Sequence, residues 1–261
     1  MPRPRTSDGV TNHLIGSLFD GSLRVGDRLD LDELANALGA GRASLREGVA
    51  ALERDGLVRV TQQRGAHVAP FDAGEVREAF DLYGLLSALA FRRAARRRVE
   101  ELVALLAELD DALASTTDVD EFEQLAARFR HAVAVSAAGP HLHALLRSFT
   151  GLVPAATRLS IVEAMAEERC ALNAEYEAVR EGDVEAAATV VVDHSRLTAD
   201  NAIRELRRRG VLDGYATEDE RAAHLNLVRR IDERADDLRH GRVRAVWNGP
   251  TMVGLPQLSR R

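Results

Sequence analysis

The sequence predicts a mostly α protein: a small N-terminal unit of three helices and a β-hairpin (1–70), then an all-α antiparallel helical bundle (74–210). An extension over 211–261 carries one more amphipathic helix. Three observations lead there. Aromatic residues make up only 4% of the chain while Ala, Leu and Val abound, which favours packed helices over sandwiches and barrels. Apolar residues recur at helical spacing almost throughout. Alternating, β-prone runs are confined to one place, 57–61 and 66–68.

The first helix is read from Val10, Leu14, Ile15, Leu18 and Phe19, and Asp20-Gly21 ends it. A second short helix starts near Asp32, carries Leu34, Ala35 and Leu38, and stops at Gly39. Only Ala40 and Gly41 precede the third, from Arg42 to about Asp55, with Leu45, Val49 and Leu52 on one stripe and Ala43, Arg46 and Glu47 outward. The two β-prone runs flank Gln62-Gln63-Arg64-Gly65, a basic, glycine-containing loop. Two helices joined by a tight turn, followed by such a hairpin, are a winged helix-turn-helix.

Beyond Pro70 the spacing gives about six helices up to Gly210, broken at Gly139-Pro140, at Pro154 and at Gly182-Asp183. In the extension a helix over about 218–240 is expected to bury Leu225, Val228, Ile231, Ala235 and Leu238.

Composition excludes several function classes. The one cysteine, Cys170, rules out a disulfide framework and a Cys-rich zinc site, and a reducing cytoplasm fits. No stretch reaches the roughly 20 apolar residues that cross a bilayer, so no membrane partner is expected. The net charge of −6 argues against a uniformly basic coat, yet residues 1–70 hold nine Arg against nine Asp plus Glu, so the negative excess lies in the remainder. No glycine-rich phosphate loop, H-E-x-x-H, nucleophile elbow or Cys/His pairing is present, and the chain is not expected to be an enzyme.

In a helix-turn-helix the first turn of the second helix reaches base edges in the major groove. Here that turn holds Arg42, Ala43, Ser44 and Arg46. A guanidinium pairs bidentately with guanine, and Ser44 with the amides of a helix start can take phosphate. Arg64 and Gly65 of the loop are placed for the neighbouring minor groove or backbone. The bland alternative is a solvated, Arg-rich helix face, since every basic side chain in this Lys-free chain is Arg.

The order and spacing of these residues resemble the GntR family of bacterial regulators. The resemblance runs through Leu23-x-Val25-Gly26-Asp27-Arg28-Leu29, Glu33-Leu34-Ala35-x-x-Leu38-Gly39, Arg42-x-Ser44-Leu45-Arg46-Glu47, Leu52-x-x-x-Gly56-Leu57-Val58 and Arg64-Gly65-Ala66-x-Val68. The family usually has Ser at the place of Gly41, Pro at Ser44 and Ala at Gly48. The first change removes a side-chain cap, and a glycine inside a helix costs up to about 1 kcal/mol relative to alanine.

The remainder looks like the FCD type of effector domain found in the FadR subfamily, on Asp81-Leu82-Tyr83, Phe129, Ala137-Ala138-Gly139-Pro140-His141-Leu142, Gly182-Asp183-x-x-x-Ala187 and His194. The resemblance implies double-stranded DNA with a palindromic operator as one partner, a small-molecule effector as another, and a homodimeric repressor. Many FCD domains hold a divalent metal through an Asp and three His. Here Ala126, Arg130 and Leu172 stand at three of those places and only His194 remains, so no metal cofactor is expected. Leu86 stands where an effector arginine is usual. An apolar pocket of Leu86, Ala126 and Leu172, with Arg130 and His194 as an anchor, suits a hydrophobic or carboxylate-bearing effector. The alternative is a helical domain that serves as a ligand-free protein-docking and dimerisation module.

Overall fold

The computed structural model describes residues 7–61, 65–212 and 218–240. Helices α1 (Ser7–Phe19), α2 (Leu31–Leu38) and α3 (Arg42–Arg54) pack with strands β1 (Arg28–Leu29), β2 (Val58–Thr61) and β3 (Gly65–Val68). Asp30 caps α2 by accepting the amides of Asp32 and Glu33 at 3.1 and 3.0 Å, and Gly39 closes it in the left-handed region at φ 60°. The strands form an antiparallel sheet in the order β1-β3-β2, with Val58 opposite Val68 and Arg28 opposite His67. The two-stranded wing expected from sequence is therefore three-stranded. Two residues are too few for alternation to reveal β1.

Helix α1 lies directly against α3. A Cβ on Gly48 would come within 2.9 Å of the Val10 side chain and 3.0 Å of the Ser7 carbonyl. The glycine that departs from the usual alanine is thus fitted to a close helix crossing, and its propensity cost goes with that contact.

The bundle comprises α4 (Ala73–Arg97), α5 (Glu100–Ser115), α6 (Val119–Ala137), α7 (Pro140–Leu146), α8 (Leu152–Glu181) and α9 (Val184–Arg208). Asp72 and Glu75 cap α4 reciprocally: Asp72 accepts the Glu75 amide at 3.2 Å, while Glu75 accepts the Asp72 amide at 2.8 Å. Pro154 does not break a helix; it lies in the first turn of α8, where a missing N–H costs nothing. The interruption of α8 comes at Ala164 (φ −145°, ψ 48°), with no glycine or proline to announce it.

Two cores result. One, built on Phe91, Leu106, Leu113, Phe122, Phe129, Leu172 and Val179, fills the bundle. The other joins Val10, Ile15, Leu45, Leu52 and Val68 of the N-terminal unit to Phe80, Leu152, Ala156, Ile203 and Leu206 of the bundle. The boundary near residue 70 is thus a chain boundary across which packing continues.

Helix α10 (Glu218–Arg239) packs on α8 and α9. Its buried stripe is Leu227, Ile231, Ala235 and Leu238, with Val228 half-buried. Leu225, expected on that stripe, is 68% exposed, because it lies two residues and about 200° around the helix from Leu227. Among the described residues no helix is long and apolar enough to cross a membrane.

Candidate DNA-reading face and effector cavity

Helix α3 buries Leu45, Gly48, Val49 and Leu52, and this fixes which side points away from the protein. Arg42, Ala43, Arg46 and Glu47 are exposed, and Ser44 is half-buried. Gly41 precedes the helix in extended conformation and supplies no side-chain cap. The two arginines, one turn apart, thus share an outward face with the start of α3. Gly65 opens β3 at φ 77°, a conformation suited to glycine. Arg64 lies outside the described residues.

In the bundle a cavity of about 250 Å³ lies between α4, α6, α7 and the first half of α8. Its wall is mainly apolar, including Ala90, Phe91, Ala126, Val133 and Ile161, and Tyr83 packs edge-on against Phe149 beside it, ring centroids 5.4 Å apart. Arg130, His131, His143 and Arg147 bring nitrogen donors to the same cavity. Of the expected pocket residues, Ala126 and Arg130 line it. Leu172 does not: it sits beyond the bend at Ala164, fully buried in the bundle core, and half-buried Leu86 packs on that same core.

His194 lies behind Arg130, linked to it through a buried polar cluster. The ring's Nδ1 is 2.7 Å from Glu175 Oε1 and its Nε2 is 2.9 Å from Glu168 Oε2. Arg130 Nη2 stands 3.4 Å from His194 Nε2 and 3.9 Å from Glu168 Oε2. Glu168 also accepts hydrogen bonds from Ser160 and, at 2.8 Å, from Thr198. Burial alone would push the His194 pKa down, but the carboxylates of Glu175 and Glu168 outweigh it and hold it at about 9. Burial likewise opposes ionisation of Glu168, yet His194, Arg130 and the Ser160 hydroxyl keep its pKa below the ordinary carboxylate value. Glu168 faces both basic side chains and Glu175 faces His194, the kind of pairing by which charge persists in a core, and Glu175 Oε2 is buried without a hydrogen-bond partner among the described residues.

Glu168 and Glu175 escape a reading of the sequence because α8 is rich in acids that resemble a solvated face. Their signal is positional: seven residues apart, they share a face with Ala171 and Leu172, both fully buried.

A helix-turn-helix with a wing, presenting a basic first turn, joined to an all-helical domain with an internal cavity, defines a DNA-binding transcriptional regulator. The bacterial regulatory proteins of the gntR family match residues 6–68, and the FCD domain matches residues 74–197. An HTH-type transcriptional regulator of Mycobacterium tuberculosis, Rv0043c, is 31% identical over 208 residues, covering 80% of this chain and 85% of its own. The HTH-type regulator YdhC of Bacillus subtilis is 26% identical over 146 residues, 54% of this chain and 65% of its own. The solved structure of Lar, described as controlling expression of the Listeria monocytogenes agr system, shares the fold with a TM-score of 0.50 at 21% identity, covering 76% of this chain and 96% of its own. The chain belongs to the GntR family and carries an FCD domain.

Proposed function

We propose that this transcriptional regulator is a ligand-responsive homodimeric repressor. Arg42 and Arg46 of each subunit read bases in the major groove, Ala43 and Ser44 fit the helix start against base and phosphate, and Arg64-Gly65 of the wing contacts the adjoining groove. Two subunits match a palindromic operator whose half-sites lie one helical turn apart, and occupancy of the operator blocks transcription.

One observation carries the ligand-responsive part. The first half of α8 contributes Val153, Pro154, Thr157 and Ile161 to the cavity, while its Leu152, Val153, Ala156 and Leu159 belong to the core shared with α1 and α3. A ligand that moves this wall moves the seat of the DNA-reading unit. The effector has an apolar body for Phe91 and Ala126 and an anionic end for Arg130, whose Nη2 faces Glu168 behind it.

Leu82, Leu85 and Leu89 form an exposed stripe on one face of α4, each 45–51% exposed, and give the dimer its apolar contact.

Native mass spectrometry of the purified protein tests the proposal. It predicts a dimer carrying the mass of a retained organic molecule, or one that acquires such mass from a library of small acids. A dimer that binds none of them would support a ligand-free docking module instead.

A further inference from the structure

The FCD resemblance implies a divalent metal, and the residues present do not fit one. A metal ligand must offer a free lone pair. His194 has a carboxylate within hydrogen-bonding distance of each ring nitrogen, an arrangement that calls for an N–H on both sides. Ala126 and Leu172 bring no donor atoms. Arg130 Nη2 at 3.4 Å and Glu168 Oε2 at 2.9 Å both face His194 Nε2, so that side of the ring is already taken by protein groups. Among the described residues no group of three or more His, Cys, Asp or Glu could hold a metal.

The same geometry shows what stands in the metal's place. Among the described residues, both close approaches of Arg130 to the buried cluster, to His194 and to Glu168, are made by Nη2. The guanidinium has five N–H donors in a planar fork, and the side chain lines the cavity at 21% exposure. Nε and Nη1 thus remain for a ligand. Glu168 cannot swing away to satisfy them, because Ser160, Thr198 and His194 hold both of its oxygens. An arginine that lines a mainly apolar cavity with an ion-paired carboxylate behind it has the donor set of an oxyanion anchor.

We infer that Arg130 replaces the metal: the cavity captures a carboxylate through the guanidinium, without any divalent cation. This rests on the reading of the cavity as the effector site. It also makes the response insensitive to metal supply, unlike that of a relative whose anchor is an ion.

The test uses the full chain without a histidine tag. Native mass spectrometry after incubation with zinc should show no metal retained per subunit, and EDTA should leave the melting temperature unchanged. Benzoate and benzamide, alike in shape but not in charge, are the probes. Benzoate at saturating concentration should raise the melting temperature by about 3 °C with EDTA present, and benzamide should not. Arg130→Gln should abolish that rise, and Arg130→Lys, which keeps the charge but not the fork, should reduce it. Circular dichroism establishes that each variant is folded.

Stoichiometric zinc on His194, or a benzoate shift that EDTA removes, would overturn the inference while leaving the cavity as an effector site. A benzoate shift that survives in folded Arg130→Gln would overturn the anchoring role. No shift with benzoate or with other small carboxylates would refute the effector-site reading, and the inference with it.

Discussion

The carboxylate of Asp55, at the C-cap of α3, accepts a hydrogen bond from the backbone amide of Leu152, the first residue of α8, at 2.9 Å. The DNA-reading helix is thereby tied to the helix half that walls the cavity. Burial raises the Asp55 pKa, and the Leu152 amide pulls the other way. Gly151 makes the approach possible, since a Cβ there would meet Asp55 Oδ2 at 2.1 Å. Asp55→Ala should therefore cost about 1–2 kcal/mol and loosen the coupling between the two units. Calorimetry should show the single unfolding transition broadening or splitting; an unchanged transition would mean the tie contributes nothing.

Gly48→Ala sets two effects against each other. Helix propensity favours alanine by up to about 1 kcal/mol, but the new methyl must displace Val10 and the start of α1, and overpacking costs about 1–3 kcal/mol. The substitution should lower the urea midpoint, and adding Val10→Ala should recover part of the loss. A stabilised single variant would show that α1 moves aside freely.

The buried His194 makes stability depend on pH in a defined direction. Its pKa is about 9 in the folded chain against an ordinary 6.5, so its contribution is complete below about pH 6.5 and is lost as pH rises through 9. The melting temperature should fall across that window, and His194→Gln should remove the fall. Equal slopes in the two proteins would place the pH dependence elsewhere.

The exposed leucines of α4 test the assembly. Leu85→Asp puts a charge in the middle of the stripe and should convert the dimer to monomer in sedimentation at micromolar concentration without lowering helicity. A persistent dimer would move the interface to another face.

Much of this architecture was legible in the sequence because its signals are local. The spacing of Leu45, Val49 and Leu52 orients α3, and Gly39, Gly139-Pro140 and Gly182 mark helix ends where the chain needs them. What stayed hidden depends on packing between distant segments. Strand β1 exists only because Arg28 and Leu29 meet His67 and Ala66. The bend at Ala164 has no local breaker, and Glu168, which accepts from Ser160 across it, meets His194 and Thr198 of α9. Leu172, placed at the cavity by its spacing from Gly182-Asp183, packs in the bundle core instead, because spacing along a helix does not say which of two buried faces a residue meets. The meeting of Arg130 with His194 could be proposed from the family's spacing, but the two glutamates that give it meaning could not.

Whether the outward turn of α3 reads DNA is decided by fluorescence anisotropy on a fragment selected from random DNA. The wild-type protein should bind a palindrome saturably, and Arg46→Ala should weaken that binding by about 1–3 kcal/mol and relax preference at one base step. Equal affinity and equal base preference in the two proteins would contradict the assignment of Arg46, and selection that enriched no sequence would contradict the account of this chain as an operator-binding regulator.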